Sequence, residues 1–254
     1  MSVTVMPGLQ ATSRISLVAD LIVFLLAAVL LALGGAGFPL TGFDAYWFMP
    51  PALATAAGDG LVNHFYPWSP PQPLTYHGFL QAMTLASLMP RPESAGLFIA
   101  LTVQHVLIVV GLHLLARRTI RGAAGWTSSL FALGLVLGVL AWALAHAGRP
   151  DGFALLIVVV ACNLHLRCPR GRVAIHGIAI GALAATHPVA AAMVSAIVAA
   201  WWGWHADGRR SALALAAIAG CGLLILGLAL AWYPYGIAEW LGGMVAHARR
   251  VLPG

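Results

Sequence analysis

Residues 37–90 read GFPLTGFDAYWFMPPALATAAGDGLVNHFYPWSPPQPLTYHGFLQAMTLASLMP, the one long segment too polar and too rich in proline and aromatic residues to cross a membrane. An acid stands near its start, Asp44 between Phe43 and Ala45. AAGDGLVNHFYPWSPPQPLTYHG is loop-like, and FLQAMTLASLM at the end is helix-like. On either side the chain consists of apolar runs separated by short arginine-bearing stretches. This pattern predicts a membrane scaffold that holds an aromatic, acid-bearing loop at its surface.

Composition leads to the same class. Of 254 residues, 61% are hydrophobic and only 8% are charged, with a mean hydropathy of +0.91. A soluble domain carries about 25% charged residues, so this chain has too few to cover a water-facing surface. It reads as an all-α, polytopic membrane helix bundle in a single domain. Lysine is absent, and 13 arginines against seven acids give +6. Those arginines lie between apolar runs, where the positive-inside rule accounts for them; nucleic acid is excluded as a partner, and membrane lipids are expected. Cys162, Cys168 and Cys221 show neither CxxC spacing nor a disulfide framework.

The apolar runs predict seven spans, at residues 17–37, 95–116, 124–147, 152–168, 172–187, 188–205 and 211–232, with an outer loop at 38–94. The first is too long, and lacks the cleavage site, for a signal peptide. Asp20 in its first turn reads as a headgroup-level or helix-start residue. The run from 173 to 204 is too long for one crossing, and Thr186-His187-Pro188 divides it, because proline disfavours helical geometry in the residue before it. A cytoplasmic N-terminus places nine arginines inside (14, 117, 118, 121, 167, 170, 172, 209 and 210) and, before the C-terminal tail with Arg249 and Arg250, only Arg91 and Arg149 outside. The same arrangement puts Asp44, Arg149, Asp151, His187 and Tyr233 on one side. Residues 77–89 are too short to span, so they are expected as an interfacial helix with its apolar side in lipid. The tail at 237–251 has a similar character.

Each chemical candidate has two readings. Asp44 fits a loop or helix-starting cap and equally a catalytic carboxylate among the aromatics Phe43, Tyr46 and Trp47. Asp151, after Arg149-Pro150, stands where a cap is expected. Arg149 offers a bidentate fork to a phosphate or snorkels to the interface. His187 meets a phosphate as imidazolium, or caps a helix and lines a polar crevice as a neutral ring. His64 and His77 beside Asp44 show no metal-ligand spacing. His105, His113, His146, His165 and His176 share no ligand pattern and are expected to be satisfied within the bundle or at its surface.

The order of these features resembles the GT-C glycosyltransferases that use polyprenyl-phosphate-linked sugars, broadly the protein mannosyltransferases and lipid A aminoarabinose transferases. FDAYW places Asp44 at the family's acid in the first outer loop, and PLTYHGFLQAM looks like the juxtamembrane helix that follows. RPDG places Asp151 at a second acid. ALAATHP resembles a stretch where many members carry Thr-Lys, with His187 in the place of the lysine. WYPY looks like the aromatic exit from the seventh span. The likeness covers residues 17–235. Members of the group continue with further spans where this chain ends at Gly254, so a shortened or reduced seven-span module is expected.

The resemblance implies a multi-pass protein of the bacterial inner (plasma) membrane that transfers sugar from a polyprenyl-phosphate donor to a glycan, lipid or protein acceptor at the outer face, with inversion. Asp44 would act as base or metal ligand, with Asp151 supporting the acceptor or a divalent metal. Arg149 and His187 would face the phosphate, and Tyr46, Tyr66, Tyr76, His77 and Tyr233 would line the substrate site. The alternative is a non-enzymatic subunit or transporter fragment. A transporter would be expected to show paired, similarly broken halves, and the chain has the single break at His187-Pro188.

Overall fold

The computed structural model describes residues 22, 25, 26, 29, 45–63, 72–74, 78–119, 134, 138 and 149–251. Among them are helices α1 (Ala45–Ala57), α2 (Phe79–Leu88), α3 (Ser94–Thr119), α4 (Pro150–Arg167), α5 (Arg172–Thr186), α6 (Pro188–His205), α7 (Gly208–Trp232) and α8 (Gly236–Val251). The other regular structures are an antiparallel ladder, β1 (Val62–Asn63) with β2 (Gln72–Pro73), and a 3₁₀ turn at Pro169–Gly171. The protein is an all-helical, multi-pass membrane bundle. Among the described residues three helices are long and apolar enough to cross a bilayer: Ser94–Ala116 within α3, α4, and α7. At 1.5 Å per residue α7 is about 37 Å long, more than the hydrocarbon thickness.

Helices α5 and α6, of 15 and 18 residues, share one break. Pro188 has no N–H and takes the first position of α6, where none is needed. His187 leaves the helical region at φ −149°, ψ 87°. The expected spans at 17–37 and 124–147 lie outside the described residues except for isolated helical positions. Ile22, Leu25, Leu26 and Val29 are four of these, all exposed. Their spacing puts them on one outward face of a helix.

In lipid no hydrophobic effect presses helices together, so close packing of small residues must do it. The tightest such contact is between α5 and α7. A Cβ on Gly181 would lie 2.4 Å from the Gly222 carbonyl oxygen, and one on Gly177 would lie 2.9 Å from that of Ile218. The two backbones therefore touch. Helices α3 and α4 also meet at a glycine, here against side chains: Gly111 faces Val159, and the Asn163 amide donates to the Gly111 carbonyl at 2.8 Å.

The segment read as an outer loop differs from expectation in two respects. Residues 45–57 form a helix despite Pro50 and Pro51, which remove two backbone donors from its middle. Phe48, Met49, Pro51 and Ala52 are buried, and this burial compensates. Helix α2 lies where the short interfacial helix is expected, but its apolar side is not given to lipid. Phe79, Ala82 and Leu85 are buried in a protein cluster with Leu61, Leu74, Leu97, Ala185, Leu230, Tyr233 and Trp240. The reason is that ladder and aromatics around α2 supply a closer-fitting apolar partner than lipid does. Withdrawing Phe79 from water is worth about 2 kcal/mol. Gly78 starts α2 at φ 92° with the Phe48 ring against it, so a side chain there would meet both backbone strain and a clash. In α8, Trp240 is buried in the same cluster while Ile237, Leu241 and Val245 point outward.

Alanine suits a helix better than glycine by about 1 kcal/mol, yet Gly181→Ala is expected to lower the thermal midpoint in detergent, because overpacking costs about 1–3 kcal/mol. Gly227→Ala, on the open face of α7, is expected to leave it unchanged or raise it. Equal behaviour of the two variants would show that the backbone contact does not hold the pair.

Candidate functional site

Three of the residues singled out in the sequence meet at the end of the bundle where α4 starts and α5 stops. Asp151 lies in the first turn of α4, behind Pro150, and a carboxylate there is favoured by the helix dipole. The Arg149 Nε–H donates to Asp151 Oδ2 at 2.7 Å. His187 Nε2 lies 3.0 Å from Asp151 Oδ1, across 36 residues of sequence.

The second ring nitrogen fixes the tautomer. His187 Nδ1 accepts from the Ala190 N–H at 3.2 Å and so caps α6. A nitrogen that accepts carries no proton, which places the ring proton on Nε2 and makes it the donor to Asp151. Of the two states open to His187 in the sequence, the neutral capping ring is the one in this geometry. A single carboxylate thus receives one hydrogen bond from a guanidinium and one from an imidazole. The Asp151 side chain remains 26% exposed and that of Arg149 39% exposed, so the network sits at an accessible end of the bundle.

Gln81, from α2, completes the tie. It is fully buried, and its Nε2 donates to the Arg149 carbonyl at 3.0 Å. Its Oε1 has no hydrogen-bond partner among the described residues. The sequence marks Gln81 only as a polar position in an apolar helix; nothing local links it to Arg149, 68 positions away.

The aromatic exit of α7, where Tyr233 is expected to line a substrate site, ties back to the ladder. The Tyr233 hydroxyl donates to the Leu74 carbonyl, and the Tyr235 hydroxyl to the Leu61 carbonyl at 3.0 Å. The two tyrosines hold the open end of the β1–β2 ladder against the bundle, and burial pushes both phenols above their ordinary pKa. Tyr233 is buried and packs on Phe79 at 5.0 Å between ring centroids. Its hydroxyl is thus engaged with the end of the ladder.

Asp44, Tyr66, Tyr76 and His77 lie outside the described residues, and Tyr46 is placed in α1 by its backbone alone. The divalent metal expected of Asp44 and Asp151 finds no set of three His, Cys, Asp or Glu ligands among the described residues. Both Asp151 oxygens are engaged, and the adjacent guanidinium opposes a second cation. The described residues thus do not fit a metal at Asp151.

The opposite end carries a second polar cluster, in which His165 and His176 are satisfied by each other. Trp202 Nε1–H donates to His176 Nδ1 at 3.2 Å, so His176 is protonated at Nε2 and donates to His165 Nδ1 at 2.9 Å. The Arg172 guanidinium lies 5.5 Å from the Trp201 ring centroid. Three helices contribute to this cluster, and no spacing within one helix announces it. Comparison with protein-family models, curated proteins and solved structures found no match to this chain.

Nitrogen-15 NMR of histidine-labelled protein at neutral pH is expected to show His187 protonated at Nε2 and bare at Nδ1. In His187→Ala the loss of the cap is expected to cost about 1 kcal/mol. A proton on Nδ1 would remove the capping arrangement and with it the assignment of the donor to Asp151.

Proposed function

We propose that this protein transfers a glycosyl group from a polyprenyl-phosphate-linked sugar to an acceptor hydroxyl at the membrane–water interface, inverting the anomeric carbon. The observation that carries this reading is the Arg149–Asp151–His187 network at one end of an apolar bundle, beside a ladder anchored by Tyr233 and Tyr235. A phosphate headed by a lipid needs both features: apolar surface for its chain and a cation at headgroup depth. Leu228 and Trp232 of α7 and Ile237 and Leu241 of α8 are exposed apolar residues approaching this end, and they offer the chain its path.

In the proposed reaction the acceptor oxygen attacks the anomeric carbon as the bond from that carbon to the phosphate oxygen breaks. The phosphate departs with the electron pair, and the hydroxyl proton passes to Asp44, the residue assigned here as general base. Arg149 is assigned to the phosphate, because a guanidinium fork matches its oxygens. Asp151 orients Arg149 through the 2.7 Å hydrogen bond. A phosphate is a good leaving group, so positioning and electrostatics carry much of the barrier reduction.

One observation favours a second reading, a non-enzymatic scaffold subunit. Both Asp151 oxygens and both His187 nitrogens are satisfied within the protein, as they would be in a purely structural staple between α4, α5 and α6.

The two readings separate on ligand retention and on transfer. Arg149→Ala is expected to weaken retention of a polyprenyl phosphate by about tenfold or more, the scale of a charge-assisted hydrogen bond, and to leave a neutral polyprenol little changed. Equal losses for both ligands assign Arg149 to structure. Asp44→Asn keeps shape and capping ability, so folding and lipid binding are expected to persist while transfer of labelled sugar falls about a hundredfold. Transfer at the parental rate would overturn the proposed mechanism.

A further inference from the structure

We propose that the end of the bundle opposite Asp151 binds anionic phospholipid headgroups, with Arg167 and Arg170 as the principal contacts. The α4–α5 turn, the end of α6 and the start of α7 bring Arg167, Arg170, Arg172, Arg209 and Arg210 to this end. Helix α3 ends here as well, with Arg117 and Arg118 in its last residues. Among the described residues the acid at this end is Asp207, and it is paired with Arg210 at 3.3 Å. Arg167 and Arg170 are exposed, and neither has an acidic partner among the described residues. Such a surface collects anions.

The chemistry of the neighbouring surface selects which anion. One or two turns inward, the same helices face outward with Leu164 on α4, Ile178 on α5, Ile197 on α6 and Leu213 on α7, all exposed. The arginines therefore lie where hydrocarbon gives way to headgroups. Trp204, 87% exposed, marks the same depth, the level at which tryptophan concentrates in membrane proteins. A phosphodiester headgroup is held at that depth by its own acyl chains, which a soluble anion lacks.

The turn that presents the two arginines is held in place from behind. Arg172 donates from Nε to the His165 carbonyl at 3.3 Å and lies against Trp201, while the His165–His176–Trp202 chain joins α4, α5 and α6. Arg172 is thus turned to internal use. Arg170 borders a shallow, open surface concavity lined also by Cys168, Pro169 and Gly171, and a guanidinium in such a position can grip a headgroup phosphate with two donors.

The test uses the full chain in nanodiscs of phosphatidylcholine mixed with phosphatidylglycerol, with the lipids retained after detergent competition quantified by mass spectrometry. Phosphatidylglycerol is expected to be enriched, with the enrichment weakening as salt rises and surviving an excess of inorganic phosphate. Arg167→Gln combined with Arg170→Gln is expected to lower it by about fivefold for each arginine removed. Arg91→Gln, at the other end, is expected to leave it unchanged. If the double variant does not fold, the lipid preference and salt response of the parent protein still decide. Equal retention of the two lipids by the parent, displacement by inorganic phosphate, or an equal loss in Arg91→Gln would each overturn the proposal.

Discussion

The backbone contact between α5 and α7 is the constraint on which the rest of the arrangement depends. Gly177 and Gly181 on one helix and Gly222 on the other leave no space for a side chain between them. In lipid the attraction between two such surfaces comes from dispersion and close approach, so it acts only when the two helices are in one register. That register sets the level at which each helix stops. Ala185 near the end of α5 and Leu230 near the end of α7 therefore join the same buried cluster, and His187 and Tyr233 follow immediately. The polar end of the molecule is placed by an apolar contact well away from it.

Two different physical regimes meet in this chain. Along α3, α4 and α7 the surroundings are as apolar as the side chains, and packing is won by glycine, alanine and the Asn163 amide. At the Asp151 end the segment 45–88 adds a small cluster built on the principle of a soluble core, with Phe79, Leu85, Leu61 and Leu74 almost wholly buried. Tyrosine hydroxyls connect the two regimes: Tyr233 donates to the Leu74 carbonyl, and Tyr235 adds a second donor to the Leu61 carbonyl, which already accepts the Leu74 N–H. A buried carbonyl without a donor costs roughly 1–3 kcal/mol, and this makes Tyr233, the donor to Leu74, part of the architecture.

The two ends of the bundle also differ in how they treat charge. At one end Asp151 gathers Arg149 and His187 into a compact, internally satisfied network. At the other, among the described residues, the arginines outnumber the acid Asp207, and the turn is fixed by Arg172 against the His165 carbonyl and Trp201 together with the His165–His176–Trp202 chain. Charge is therefore consumed on one side and displayed on the other. The proposed glycosyl transfer uses the first, and the proposed headgroup site uses the second.

Much of this was legible in the sequence, and the reasons are local. A charged fraction of 8% excludes a water-facing surface whatever the fold, and long apolar runs have no outcome in lipid other than helices that satisfy their own backbone. Proline without an N–H divides α5 from α6 at His187 by the same kind of rule. Asp151, Arg149 and His187 stood out one by one, as polar residues at the ends of apolar runs. Tertiary structure decided the remainder. A helix through Pro50 and Pro51 is disfavoured locally and exists because its neighbours bury it. The apolar face of α2 reads the same whether lipid or protein covers it, and only the position of the ladder and α5 determines which. Gln81, Tyr233 and the His165–His176 pair reach partners between 11 and 159 positions away. Periodicity reports which face of a helix a residue occupies, whereas hydrogen bonds of that range depend on which helices become neighbours and at what height, and here close backbone contact sets both.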